Sequence, residues 1–235
     1  MKKLLRQLMN AKNPIAKKIA DLIRIPPNLY ELFLLSYYKN PQMIQIIKKI
    51  RRHTTLLLTN FEAYQLLACA VAARKLPGDY AEVGVFEGAS AQLICEAKGE
   101  KNLLLFDTFE GLPKQKITAH DALIAAGQYA SNYEMVQRRL SPYKNVKIYK
   151  GIFPDAIANL VNNSSFAFVH LDVDIYKTML DCLSFFYPRM VRGGIILSHD
   201  YNDIIGVKAA FQDFFSDKDE TIIELATSQC VVIKL

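Results

Sequence analysis

Three acid-bearing segments hold the residue types and spacings that could do chemistry. In the first, Glu82-Val83-Gly84-Val85-Phe86-Glu87-Gly88-Ala89-Ser90, a glycine-containing turn follows an apolar run and opens a helical one. Turns of this kind cradle nucleotide-type ligands, but a dinucleotide fingerprint needs a second glycine so that backbone can approach a pyrophosphate. Phe86 stands at that place, and Glu87 adds a charge that would repel a diphosphate. Glu82 and Glu87 suit instead a ligand that carries positive charge and no phosphate near the turn. S-adenosylmethionine (SAM), with its ammonium and sulfonium, is such a ligand. The second segment reaches Asp107-Thr108, 23 residues beyond Gly84, where a strand-end carboxylate can take both ribose hydroxyls. The cofactor-binding candidates are therefore Glu82, Gly84, Phe86, Gly88, Ser90, Asp107 and Thr108.

The third segment comes in two parts, Asp172-Val173-Asp174 and His199-Asp200, each closing an apolar run. Methyl transfer from a sulfonium is an in-line displacement. The protein has to hold an acceptor oxygen behind the methyl and make it nucleophilic, either with a general base or with a divalent cation that lowers the hydroxyl's pKa. Asp172, His199 and Asp200 are the catalytic candidates. His199 suits a base, since an unperturbed imidazole titrates near neutrality. Asp172 and Asp200 offer the oxygen ligands that suit Mg²⁺. Asp174 reads as a cap for the helix that follows, while Tyr176, Tyr201 and Asn202 read as lining of an acceptor pocket. His120 and Asp121 lie on a connection from which an acceptor is within reach, although surface residues without a role are the commoner case.

These segments need a framework that brings strand ends together. Tyr80–Val85, Asn102–Asp107, Val146–Lys150, Phe166–Asp172 and Ile195–Ser198 are short and apolar on both faces, as strands buried in a parallel sheet are. Helical stretches separate them at about Ala89–Ala97, Tyr133–Leu140, Pro154–Val161 and Thr178–Met190. This alternation predicts a doubly wound α/β sheet. After a helix over Val207–Ser216 come two strands, Thr221–Leu225 and Cys230–Leu235. Their short connection permits only a hairpin, so the last strand is antiparallel. Before Gly78 the chain reads as helices: one begins at Asn13-Pro14 and carries Ile15, Ile19, Leu22 and Ile23, and one begins at Asn40-Pro41 and carries Met43, Ile46, Ile47 and Ile50. A third starts at the capping-box pattern Thr59-x-x-Glu62.

The runs Glu82–Gly88, Phe106-Asp107-Thr108-Phe109-Glu110-Gly111-Leu112-Pro113 and His170-Leu171-Asp172-Val173-Asp174-Ile175-Tyr176, with Gly193-Gly194 and His199-Asp200-Tyr201, together resemble the macrocin O-methyltransferase (TylF-type) family of class I SAM-dependent methyltransferases. The resemblance runs in order from about Thr59 to the C-terminus. It implies a Rossmann-like, mostly parallel seven-stranded sheet with an antiparallel last strand. It also implies SAM as methyl donor, a hydroxyl of a small sugar or natural product as acceptor, and a lid formed by Pro113–Asn132. In the family an acid at the position of Asp172 and a pair of acids after the fifth strand hold the metal. His199 stands where the first of that pair would be, which puts Mg²⁺ dependence in question. A SAM- or nucleoside-binding protein without turnover is the alternative, and an NAD-linked oxidoreductase a more distant one.

The chain of 235 residues carries a formal charge of +6, unevenly spread. Residues 1–53 hold twelve lysines and arginines against Asp21 and Glu31, a balance of +10, and the rest stands at −4. The expected division is a basic helical appendage over 1–58 and a methyltransferase domain over 59–235. A solvated helix face is the ordinary reading of such charge. Contact with an anionic membrane surface and a homodimer contact are further roles, whereas no nucleic-acid module accompanies the charge. No apolar stretch approaches the roughly 18 residues that a membrane span needs. The four cysteines show no CxxC pairing, as suits reduced thiols in a cytoplasmic protein.

Overall fold

A computed structural model describes residues 28–121, 124–155, 161 and 163–235. The helix expected from Asn13 lies outside the described residues, as does most of the one expected over Pro154–Val161. A helix over 28–38 precedes α2 (Pro41–His53) and α3 (Asn60–Ala73); we call it α1. Each of these two starts has a local cause. Asn40 accepts from the Gln42 N–H at 2.9 Å with Pro41 in the first turn. Thr59 and Glu62 form the reciprocal capping box, Thr59 N–H donating to Glu62 Oε2 at 2.8 Å and Glu62 N–H to Thr59 Oγ1 at 3.2 Å.

The sheet contains β1 (Asp79–Val83), β2 (Leu103–Asp107), β3 (Val146–Lys150), β4 (Phe166–Leu171), β5 (Met190–Ser198), β6 (Ile223–Glu224) and β7 (Cys230–Ile233). Its spatial order is β3-β2-β1-β4-β5-β7-β6. Pairings among β1 to β5 are parallel, and those of β7 with β5 and β6 are antiparallel. The seven-stranded, mostly parallel sheet with an antiparallel end is thus as expected. Helices α4 (Ala89–Ala97), α5 (Tyr133–Leu140), α6 (Tyr176–Phe186) and α7 (Ile205–Phe215) complete the described elements. One apolar cluster joins Leu66, Leu67, Leu93 and Ile94 of α3 and α4 to Tyr80, Leu105 and Phe168; the opposite one joins Met179, Leu183, Val207 and Phe211 to Val83, Phe106 and Ile196. Ile47, Ile50, Leu56 and Leu58 lie in the first cluster, so the chain just before residue 59 shares the core of the sheet.

Two boundaries differ from expectation for physical reasons. The helix after Tyr176 ends at Phe186, followed by a 3₁₀ turn over Tyr187–Arg189 that contains Pro188, because proline cannot continue an α-helix. Met190–Gly194 then joins β5, although glycines usually weaken strands; Gly193 N–H donates to Lys234 O and Lys234 N–H to Gly194 O, at 2.7 and 2.9 Å. The order reverses beside β1, which lies between β2 and β4. That is the switch point at which doubly wound sheets bind ligands, beyond the carboxyl ends of their strands.

Candidate active site

At those carboxyl ends the loops continue the ladder: Asp172 N–H donates to Val83 O and His199 N–H to Leu171 O, both at 2.9 Å. Gly84 has φ +87°, and a Cβ there would sit 1.9 Å from the Asp172 carbonyl oxygen. Only glycine allows the β1 and β4 loops to approach so closely. Asp107, at the end of β2, ties down the neighbouring turns. Its Oδ2 accepts from the Val85 and Phe86 N–H groups at 2.7 and 2.8 Å, and its Oδ1 from the Phe109 N–H at 2.6 Å. Phe86 and Phe109 are held at φ +50° and +58°. Burial pushes the Asp107 carboxyl up, against the pull of these three N–H groups.

A cleft of about 320 Å³ opens over these strand ends, within the size range of small-molecule sites. Val83, Gly84, Phe86, Asp107 and Thr108 line one side, and Asp172, Asp174, His199 and Asp200 lie farther along it. Tyr129 from the connection after β2 and Glu31, Arg51 and Glu62 from the helices also reach it. The Thr108 hydroxyl is engaged within its own turn, donating to Gly111 O at 2.8 Å.

His199 is the hub of the second half. Its Nδ1 lies 3.1 Å from Asp172 Oδ1 and 3.3 Å from Asp200 Oδ2, while Nε2 lies 3.5 Å from Glu62 Oε2. Burial disfavours a charged ring, but Asp200 and then Asp172 outweigh it and hold the pKa well above the usual histidine value. Glu62 is also buried, which opposes its ionisation; His199, Ser228 and the Thr59 N–H overcome this and hold the carboxyl well below its usual range. Ser228 Oγ donates to Glu62 Oε1 at 2.6 Å. Asp172, His199 and Asp200 each offer one ligand atom, all within 4.8 Å of one another. Donors on a shell of 2.0 to 2.3 Å radius fall within such separations, so the residues fit a divalent cation; the imidazole makes the set less suited to Mg²⁺ than three carboxylates would be.

Several expected site residues lie elsewhere. Glu82 shares strand parity with Tyr80, whose hydroxyl reaches Ala70 of α3. It is fully buried behind the cleft, 2.8 Å from His170 Nδ1, and burial raises its pKa. Ser90 is buried near Glu82, and Gly88 takes a left-handed conformation at the start of α4 against Val136. Glu87 approaches Arg139 at 4.0 Å. The acidic residues facing the cleft are therefore Glu31, Glu62, Asp107, Asp172, Asp174, Asp200 and Asp203 rather than Glu82 and Glu87.

Tyr176, Tyr201 and Asn202 do not line the cleft. Tyr176 Oη donates to Asp213, Tyr201 packs edge-on against Phe211, and Asn202 is exposed. Asp174 is buried with φ +55° and lines the cleft, while Ile175 occupies the cap position of α6 without a side-chain bond. The cap comes from Asp121, whose Oδ1 accepts from Tyr176 N–H at 2.9 Å and whose Oδ2 accepts from Thr118 N–H and Oγ1 at 2.8 Å. His120 stacks on the Tyr176 ring. The His120-Asp121 pair thus ties the connection after β2 to the start of α6 and does not line the cleft.

Glu62 is the residue that sequence reasoning missed as part of the site. Its capping-box pattern was legible, yet a carboxylate has acceptor capacity to spare. Only packing of the α3 start against the end of β5 brings that capacity to His199.

A family model described as macrocin O-methyltransferase (TylF) matches residues 56–228. The chain belongs to this family. A tetracenomycin-pathway relative from Streptomyces olivaceus, named 8-demethyl-8-(2,3-dimethoxy-alpha-L-rhamnosyl)-tetracenomycin-C 4'-O-methyltransferase, is 27% identical over 63% of this chain and 62% of its own length. The mycinamicin III 3''-O-methyltransferase of Micromonospora griseorubida is 29% identical over 54% of this chain and 56% of its own length. The matched region thus spans less than two thirds of either of these curated relatives. Among solved structures, the O-methyltransferase NovP aligns with a TM-score of 0.64 at 23% identity, covering 73% of this chain and 78% of that one. The calicheamicin methyltransferase CalS11 aligns at 0.66 and 14%, covering 95% and 94%. These likenesses establish the fold.

Proposed function

We propose that this member of the macrocin O-methyltransferase family transfers a methyl group from SAM to a hydroxyl of a small sugar-bearing or natural-product acceptor. The observation that carries the reading is one continuous cleft joining the Asp107 end, suited to a ribose, to the Asp172–His199–Asp200 cluster, suited to an activated hydroxyl. Bound there, SAM supplies an electrophilic methyl, and a divalent cation would supply acidity to the acceptor hydroxyl. Asp107 holds the ribose diol while Gly84 lets the donor lie close against backbone. Asp172, the most open of the cluster with 26% of its side chain exposed, takes the hydrogen bond of the acceptor hydroxyl. His199, itself held by Asp200, fixes Asp172. With both ring nitrogens facing carboxylates, His199 is not placed as a free base, and a carboxylate accepts the hydroxyl proton.

Relatives named for rhamnosyl and mycinamicin substrates support a glycosidic acceptor. The four free, buried cysteines fit a cytoplasmic protein, and among the described residues no helix is long and apolar enough to cross a membrane. Residues 28–58, which share the sheet's core and bring Glu31 and Arg51 to the cleft, also present an outer face. On α1, Phe33 and Tyr37 are 65% and 85% exposed, and α2 carries Lys48, Lys49 and Arg52, features that suit a homodimer or a peripheral contact with an anionic surface.

Thermal unfolding with S-adenosylhomocysteine (SAH), SAM and NAD tests the donor assignment. SAH at 100 times its Kd stabilises by about 2.7 kcal/mol, or about 5–10 °C at this chain length. Methyl transfer to a library of hydroxylated glycosides tests turnover. Asp172→Ala should abolish transfer and spare SAH binding. Stabilisation by NAD without SAH would overturn the reading, and SAH binding with no transfer to any acceptor would favour a binding protein without turnover.

A further inference from the structure

The fifth strand leads into His199-Asp200 beside Asp172, and the surroundings of the histidine show what it is built to do. We infer that Asp172, His199 and Asp200 form a mixed nitrogen and oxygen site that selects a transition divalent ion of the Mn²⁺ class over Mg²⁺, with Glu62 as the positioning residue that aims the His199 ring.

Two independent observations support this. The first is convergence: His199 Nδ1 faces Asp172 Oδ1 and Asp200 Oδ2 at 3.1 and 3.3 Å, and one ligand atom from each residue falls within 4.8 Å of the others. An Nδ1–H can hold the two carboxylates together, and a divalent ion ligated by Nδ1 would take the place of that proton. The second is the far side of the ring, where Nε2 lies 3.5 Å from Glu62 Oε2. Histidines that ligate metals through one nitrogen give the other N–H to a carboxylate, which fixes the ring orientation and leaves the ligating lone pair aimed at the ion. Glu62 is itself held from two further directions, by Thr59 N–H at 2.8 Å and Ser228 Oγ at 2.6 Å. The carboxylate therefore cannot swing away, and neither can the ring it orients. Imidazole suits Fe²⁺, Ni²⁺ and Zn²⁺ and carboxylates suit Mn²⁺, so a mixed set accepts transition ions, whereas Mg²⁺ demands near-ideal oxygen coordination and dehydrates reluctantly.

The inference rests on the methyltransferase reading only for what the ion would do; the test reads ion binding directly. The full chain is stripped with EDTA and titrated with Mn²⁺. Binding is followed by loss of the free-ion electron paramagnetic resonance signal, and the bound ion is examined by electron spin-echo modulation for a directly coordinated ¹⁴N. Wild type should bind Mn²⁺ with ¹⁴N modulation, and Mg²⁺ should compete poorly. His199→Asp should remove the modulation and narrow the Mn²⁺-to-Mg²⁺ preference at least tenfold. Glu62→Gln keeps a side chain able to complete the capping box and should fold. It should weaken Mn²⁺ about 10-fold or more while retaining the modulation. No Mn²⁺ binding, binding without ¹⁴N, or equal competition by Mg²⁺ in wild type would overturn the site. Unchanged Mn²⁺ affinity in Glu62→Gln would overturn the positioning role. SAH binding, measured on the same samples, reports separately on the methyltransferase reading.

Discussion

Replacing Asp107 with asparagine separates two roles that one carboxylate carries. Its oxygens accept three short backbone bonds, from Val85, Phe86 and Phe109, while the group also lines the cleft. An asparagine of the same shape keeps one oxygen and turns an NH₂ toward at least one of those N–H donors. Hydrogen bonds to a charged group contribute about 1.5–3 kcal/mol each. Losing one outright and the charge assistance of the others should cost about 3 kcal/mol. At 2–4 °C per kcal/mol for a chain of this size, Asp107→Asn should lower Tm by about 6–12 °C. Loss of the charged ribose contact should weaken SAH roughly 10- to 100-fold, since each 1.4 kcal/mol is tenfold. Calorimetric unfolding, followed by SAH titration of the folded variant well below its Tm, measures the two effects apart. A Tm within 2 °C of wild type with unchanged SAH affinity would refute both roles. A lower Tm with wild-type affinity would leave Asp107 as a clip for the turns alone.

Gly84→Ala should destabilise by more than about 3 kcal/mol, because its Cβ would meet the Asp172 carbonyl at a φ that disfavours side chains; near-native thermal unfolding of this variant would refute the close-approach argument. Asp121→Ala removes the α6 cap and should cost about 1–2 kcal/mol. Amide exchange should quicken around Thr118 and the first turn of α6 with SAH affinity retained, and a fall in affinity would put Asp121 back in the cleft. At the far edge, burial opposes ionisation of Glu220, but Lys234 and Tyr187 hydrogen-bond it at 2.6 and 2.7 Å and hold its pKa at about 2. Since the folded value lies below the ordinary one near 4.5, this stabilisation is complete above about pH 5 and is lost as pH falls toward 2. Glu220→Gln should therefore cost about 1 kcal/mol at pH 7, a gap that calorimetry should find roughly halved at pH 3 and nearly closed at about pH 2.

The order and type of the elements were legible because their causes are local. The buried apolar runs of β1, β2 and β4, the Asn40-Pro41 start and the Thr59-to-Glu62 box all act within a few residues of themselves. The short link between β6 and β7 fixed an antiparallel end in the same way. The glycine-rich strand Met190–Gly194 was not legible, since its pairing with Lys234 depends on chain more than 35 residues away.

The site divides along the same line. Asp107, Asp172, His199 and Asp200 were readable because each closes a buried strand, and strand ends meet wherever parallel strands neighbour one another. Which way an acid turns is a different matter. One step of parity sends Glu82 behind the sheet to His170, and helix packing alone delivers Glu62 from a capping box to the Nε2 side of His199. The sequence by itself determined the sheet, its switch point and the chemistry gathered there, because alternation and turn types are short-range properties. Tertiary structure decided which carboxylates gather around His199 and which merely cap or pair, because those neighbours come from α3, β4 and β5, far apart along the chain.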